Sequence, residues 1–323
     1  MENTRKWRWG VNRWIILGLI ILSVIGLQFI KPVQPHIQVA PENLTKEPLF
    51  TLPVIGDFYL SNTIVAMLIM DVVILIVAFL VRQGARKNGL VPKGIAGAFE
   101  MIVDALYGMT EATAGKYAKK VFPWFATILI VVLFANLIKL VPGFETIGLL
   151  EESQHGYEIQ SLGGAWSTVI NQEAHEGGYI VKPFARALST DLNFTLALAL
   201  ISVVMTQVIG VQAQGIHYFS KFLNFTTMFK KPFLGFMDFI VGLLETISEL
   251  SKILSFTFRL FGNMFAGMVL MALVGVMVPV FVPSLIMFFE LFIGAIQAYV
   301  FGMLTLTFMA QATQGHGGEE EHA

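Results

Sequence analysis

Apolar residues run almost without interruption through several stretches of this chain, and polar residues gather between them. The stretches cover about residues 13–30, 62–81, 121–141 and 190–213, then a long block from 233 to 278 and another from 284 to about 312. Each of the first four lies near the roughly 20 residues that an α-helix needs to cross a hydrocarbon core of about 30 Å. The pattern predicts an all-α integral membrane protein.

Residues 95–118 carry a different rhythm. Ile95, Phe99, Ile102, Leu106 and Met109 share one helical face, while Glu100, Asp104 and Glu111 share another. That division predicts an amphipathic helix lying on the membrane surface. The block from Phe233 to Val278 holds 46 residues without a proline. As one helix it is about 69 Å long, far more than a perpendicular span requires. It must tilt, bend or begin outside the core, and with the arm after Pro283 it predicts a long tilted helical hairpin at 233–312.

Charges orient these elements. Arg5, Lys6, Arg8 and Arg13 precede the first stretch, which has no A-x-A-like cleavage site after it and reads as a retained N-terminal anchor over 1–31. One membrane domain is then expected over 32–323, with a disordered tail at 313–323. Arg82, Arg86, Lys87 and Lys93 follow the second stretch, and Lys221, Lys230 and Lys231 follow the fourth. The positive-inside rule makes both segments cytoplasmic, with the N- and C-termini on the same side. Between them, residues 142–187 hold six glutamates against Lys182 and Arg186 and read as an external connection. Residues 31–61 read as a loop.

Composition agrees and narrows the function. The chain has 323 residues, 55% hydrophobic and 13% charged, more apolar surface than one soluble core can hide. A net charge of -1 leaves no footprint for nucleic acid. Without cysteine there is no disulfide, thiolate metal site or cysteine nucleophile. The six histidines fall in loops or the tail, and neither H-E-x-x-H nor G-x-S-x-G occurs, which argues against an intramembrane hydrolase.

Within the long block, Glu245, Ser248, Lys252, Ser255, Arg259 and Asn263 are separated by 3, 4, 3, 4 and 4 residues. On a helix they form one polar stripe, flanked at one end by Glu249 and Ser251. Ile247, Leu250, Leu254, Phe258, Phe261 and Phe265 lie opposite, suited to lipid or neighbouring helices. In the second arm Glu290 and Gln297 share a face, with Gly294 between them admitting a close neighbour. Such serines and amides can simply bond helix carbonyls. Arg259 is different, because an arginine at the bilayer centre costs at least about 2.5–3.5 kcal/mol on insertion scales and one retained there faces water or a carboxylate. No acid lies one or two turns away on its own helix; Glu290, Glu245 and a carboxylate on another subunit all remain open as its partner. Asp71, inside the second stretch, is expected to face protein or an aqueous groove, and Lys139 to snorkel.

The stretch SKILSFTFRLFGNMFAG, followed by FELFIGAIQAYVFGMLTLTF, closely resembles subunit a of the F-type ATP synthases. The likeness extends from about residue 58 to 312, and it includes TDLNFT at the start of the fourth span and Glu245 fourteen residues before the arginine. The resemblance implies a non-catalytic stator subunit beside a ring of c subunits, with peripheral stalk subunit b and the F1 catalytic head as partners in the lipid bilayer of a bacterial cell. It implies no cofactor, metal or catalytic residue. Carried over, Arg259 is the essential cation facing a c-ring carboxylate. Glu290, Gln297 and Asn263 line the outer proton half-channel, and Glu245, Ser248 and Ser255 the cytoplasmic one. Two departures stand out: Met268 occupies a position where some members have an acid, so that Glu290 supplies the carboxylate instead, and Lys139 follows Asn136 where an acid is often found. A self-contained secondary transporter is the alternative; such proteins show internal repeats, and none is visible here.

Overall fold

The computed structural model describes residues 13, 14, 16–18, 21, 22, 25, 38–53, 56–87, 94–141, 143–153, 156–164, 166–169, 177–222, 232–278 and 282–314. The expected anchor lies largely outside the described residues, and the expected tail lies outside them from residue 315 on. Among the described residues, six long helices follow in chain order: α1 Asn62–Lys87, α2 Ile95–Ala114, α3 Ala118–Leu137, α4 Leu192–Gln214, α5 Pro232–Met277 and α6 Val282–Thr313. Among the described residues, five helical runs are long and apolar enough to cross a membrane. They match the stretches read from the hydrophobic pattern, with one difference. The run Ala96–Leu140 counts as a single 45-residue candidate, because a short 3-10 turn at Gly115–Tyr117 joins the amphipathic helix directly to the span behind it.

Local chemistry explains several boundaries. Gly115 adopts φ 51°, a left-handed conformation that ends α2 and that other residues enter only at a cost. Asp191 caps α4, its side chain accepting a hydrogen bond from the Asn193 amide at 2.9 Å. Inside the helices, threonines bond backward: the hydroxyls of Thr110, Thr206, Thr246, Thr257, Thr305 and Thr307 each donate to the carbonyl four residues earlier, at 2.8–3.0 Å. Such bonding satisfies a hydroxyl where no water is at hand.

The chain separates into two units. One comprises Thr63–Lys139, Ala187–Met264 and the residues from Gly294 on. Its core has two apolar clusters. In the first, Ile128 and Val132 of α3, Leu198, Ala199 and Val203 of α4, Phe256, Leu260 and Met264 of α5, and Ala298 and Phe301 of α6 pack together. The rings of Phe256 and Phe301 lie 4.7 Å apart, so α5 and α6 meet directly there. The second cluster joins α2 and α3 to Ile209 of α4 and to Leu306, Met309 and Ala310 of α6. The outward surfaces stay apolar: Leu75 and Phe79 on α1 are 68% and 64% exposed, as a lipid-facing helix requires. Asp71 stands on that exposed side of α1, not against the rest of the protein.

The other unit comprises the residues up to Asn62, Leu140–Arg186 and Phe265–Ile293. Its connections are more ordered than loops. A hairpin pairs β1 Phe50–Leu52 with β2 Gly56–Phe58, stacking the rings of Phe50 and Phe58 at 4.6 Å. The acidic connection builds two further antiparallel pairs, β3 Gly148–Ser153 with β6 Gly178–Pro183, and β4 Ile159–Gly163 with β5 Trp166–Val169. Glu151 spends its charge on Lys182 at 2.8 Å. Arg186, 6% exposed, donates to the carbonyls of Gln38 and Ala40, the latter at 2.9 Å, tying the end of the connection to the segment before α1. Fully buried Asn62 fastens the same segment through Glu42, whose carbonyl accepts from the Asn62 amide at 3.0 Å.

Candidate functional site

Helix α5 is continuous through all six residues of the predicted stripe, so they hold the expected helical spacing. Packing then divides them. Ser248, Ser255 and Asn263 are exposed, whereas Glu245, Lys252 and Arg259 are half-buried. The buried face of α5 is formed by Glu249, Phe256, Leu260 and Met264. Lys252 leaves the stripe and turns to Glu249, which accepts from it at 2.9 Å, and its ammonium sits 4.6 Å over the ring of Phe308 on α6. The polar face is therefore interrupted by a cation that faces the core. Ile247, Leu250, Leu254 and Phe258 are exposed, as the apolar side of the helix predicted, while Phe261 and Phe265 are half-buried.

Arg259 stands between Phe258 and Leu260, on the shoulder of α5. Its Nη2 donates to Ser255 Oγ one turn back, at 3.4 Å. Within its own unit, among the described residues, no carboxylate comes within ion-pair distance of it. The guanidinium is permanently charged.

On α6, Gly294 and half-buried Gln297 lie three residues apart, about one turn. The predicted close neighbour at Gly294 is Asn136 of α3, whose Cβ would lie 3.1 Å from a Cβ built on the glycine. Asn136 is wholly buried; its Nδ2 donates to the Gly294 carbonyl at 2.9 Å, and its Oδ1 accepts from Ser189 Oγ at 2.6 Å. Three segments far apart in sequence thus meet at one amide. Ser189 was missed by the sequence reading; its place just ahead of the Asp191 cap was the only signal.

In the other unit, Glu290 is buried at 8% exposure. Its Oε1 occupies the space above Gly267, where a Cβ would come within 2.6 Å. Gly267 adjoins Met268, the position at which an acid was expected and not found. A carboxylate from α6 fills that neighbourhood. In the unit that holds Arg259, two further polar contacts escaped the sequence reading: Ser202 with Thr305 at 2.8 Å, and Gln207 with Glu249 at 3.0 Å.

These arrangements can be set beside known proteins. Over 262 residues the chain is 26% identical to ATP synthase subunit a of Moorella thermoacetica, covering 81% of this chain and 95% of that protein. It is 29% identical over 266 residues to ATP synthase subunit a of Mycobacterium ulcerans, covering 81% and 89%. With ATP synthase subunit a of Helicobacter pylori it shares 29% identity over 267 residues, covering 81% and 97%. The family model described as ATP synthase A chain matches residues 64–310, a range that takes in Arg259, Glu290, Gln297 and the Asn136 contact, and the chain belongs to that family.

Proposed function

We propose that this chain is the ion-translocating stator subunit of the membrane sector of an F-type ATP synthase, carrying protons through two offset half-channels that meet a rotor carboxylate. The observation that carries the reading is Arg259: a permanent cation on a long membrane helix, half-buried, steadied by Ser255 and, among the described residues of its unit, with no carboxylate at ion-pair distance. Facing a ring of c subunits, it favours the ionised form of each passing carboxyl group and promotes proton release there. Its charge also obstructs direct passage from one half-channel to the other.

The remaining roles in this reading fall to polar side chains of α5 and α6. Glu290 relays protons in the outer half-channel, and Gln297 and Asn263 orient water or side chains along that route. Glu245, Ser248 and Ser255 line the cytoplasmic half-channel. Both termini are cytoplasmic, consistent with the basic segments after α1 and α4. The chain forms no ATP itself; the catalytic head does, held through subunit b. The driving force is about 2.3 kcal/mol per charge per 100 mV plus the pH term, so several protons pass for each ATP.

The test is Arg259→Ala in the assembled synthase. ATP-driven proton pumping into inverted vesicles is expected to be lost while rotor and head still co-purify. Pumping at the wild-type rate overturns the mechanism.

A further inference from the structure

Ten residues before Arg259, α5 carries a polar cluster that the ion pathway leaves unused. Glu249 is 8% exposed, and both its carboxylate oxygens accept hydrogen bonds: Oε1 from Lys252 Nζ at 2.9 Å and Oε2 from Gln207 Nε2 at 3.0 Å. The Gln207 amide oxygen accepts in turn from the Tyr218 hydroxyl at 2.6 Å. Tyr218 is 2% exposed, and its ring presses so closely on Gly210 that a Cβ there would lie 2.3 Å from it. With Lys252 over Phe308, the chain of contacts joins α4, the turn at Gly215–Lys221, α5 and α6.

A buried carboxylate near a conduction path can pass protons or hold a helix. Passing them along this chain requires each member to take up and release a proton, and the Gln207 amide, between Tyr218 and Glu249, offers only a carbonyl acceptor and NH2 donors. A carboxylate held by a donor on α4, with its own-helix partner Lys252 seated over a ring of α6, suits the second use. Turning α5 about its axis carries Glu249 and Lys252 round together, so it breaks the bond from Gln207, lifts the ammonium off Phe308 and leaves a buried carboxylate short of a donor, which is disfavoured. At about 100° per residue, Phe256 shares the face of Glu249, while Arg259 lies about 80° round from it. Holding Glu249 inward therefore sets Arg259 on the shoulder of the helix, with Ser255, about 120° round, outside.

We propose that the chain Tyr218–Gln207–Glu249–Lys252 is a rotational lock on α5, in which Glu249 is the positioning residue that fixes the angle at which Arg259 is presented. The lock rests on Arg259 being the cation of the ion pathway, and the experiment separates the two ideas.

The native chain has no cysteine, so a single introduced thiol reports on one position. In the whole synthase, Ser251→Cys, on the exposed side, and Ile253→Cys, half-buried against the core, are labelled with a membrane-permeant maleimide. Loss of the lock by Glu249→Gln is expected to lower the ratio of the two labelling rates by about fivefold and ATP-driven pumping by about tenfold. Tyr218→Phe keeps the ring beside Gly210 and removes only the hydroxyl; it shifts the labelling ratio in the same direction by less. An unchanged ratio in both Glu249→Gln and Tyr218→Phe overturns the lock, whatever pumping does. Normal pumping in Arg259→Ala overturns the ion pathway and leaves the labelling result intact.

Discussion

Asn136 Nδ2 reaches the Gly294 carbonyl at 2.9 Å, and the two residues approach so closely that a Cβ on the glycine would stand 3.1 Å from the asparagine's own. Gln297, one turn farther along α6, inherits its position from this contact. Two effects hold the pair together, and their sizes differ. A side-chain hydrogen bond between membrane helices averages about 0.6 kcal/mol. Overpacking a close contact costs about 1–3 kcal/mol. Gly294→Val is therefore expected to lower the thermal stability of the detergent-solubilised complex more than Asn136→Val does, and to depress pumping with it. Equal effects would show that the bond, not the close approach, dominates.

At Gly267 the side chain that must yield is Glu290, whose Oε1 lies 2.6 Å from the missing Cβ. A flexible carboxylate end can swing aside for one methyl group. Gly267→Ala is expected to assemble normally and to reduce proton pumping only a few-fold, about 1 kcal/mol in barrier terms. Gly267→Leu fills the whole space and displaces the carboxylate, so pumping falls to the level of Glu290→Gln. Pumping rates in vesicles containing the three variants check the order; Gly267→Leu at the wild-type rate would remove Glu290 from the outer route.

Arg186 holds the segment ahead of α1 by its bonds to two backbone carbonyls. Hydrogen bonds to a charged group contribute about 1.5–3 kcal/mol, and the bare carbonyls left behind add to the loss. In Arg186→Leu, limited proteolysis between residues 38 and 62 is expected to speed up while the pumping rate stays close to that of the native chain. Unchanged cleavage would mean that the Asn62–Glu42 contacts alone suffice to hold this segment.

Much of the fold was legible because a membrane simplifies the code: long apolar runs have to be helices, and their lengths fix the spans. The acidic connection was harder. Its strands are four to six residues long, three of them with a glycine at one end, and polar and apolar residues mix along them, so neither alternation nor length marks them. The polar stripe on α5 was legible from spacing, but its inward and outward halves were not. Lys252 and Ser255 are three residues apart and look alike on a helical wheel; Glu249, itself held by Gln207 of α4, and Phe308 of α6 turn the first toward the core. Gly294 announced a close neighbour, and Asn136 was in view, but Ser189 and Gln207 lie in helices whose sequences give no sign of their partners.

The threonines that bond back to carbonyls within their own helices add a last consequence. A hydroxyl already committed to the preceding turn presents mainly its methyl group outward, so Thr246, Thr257 and Thr307 behave much like valines. Protons travel along chains of hydroxyls and water, and a committed hydroxyl is a poor link in such a chain. In the proposed pathway these threonines would act as insulation: they put polar atoms into the membrane helices without adding links for a proton to follow.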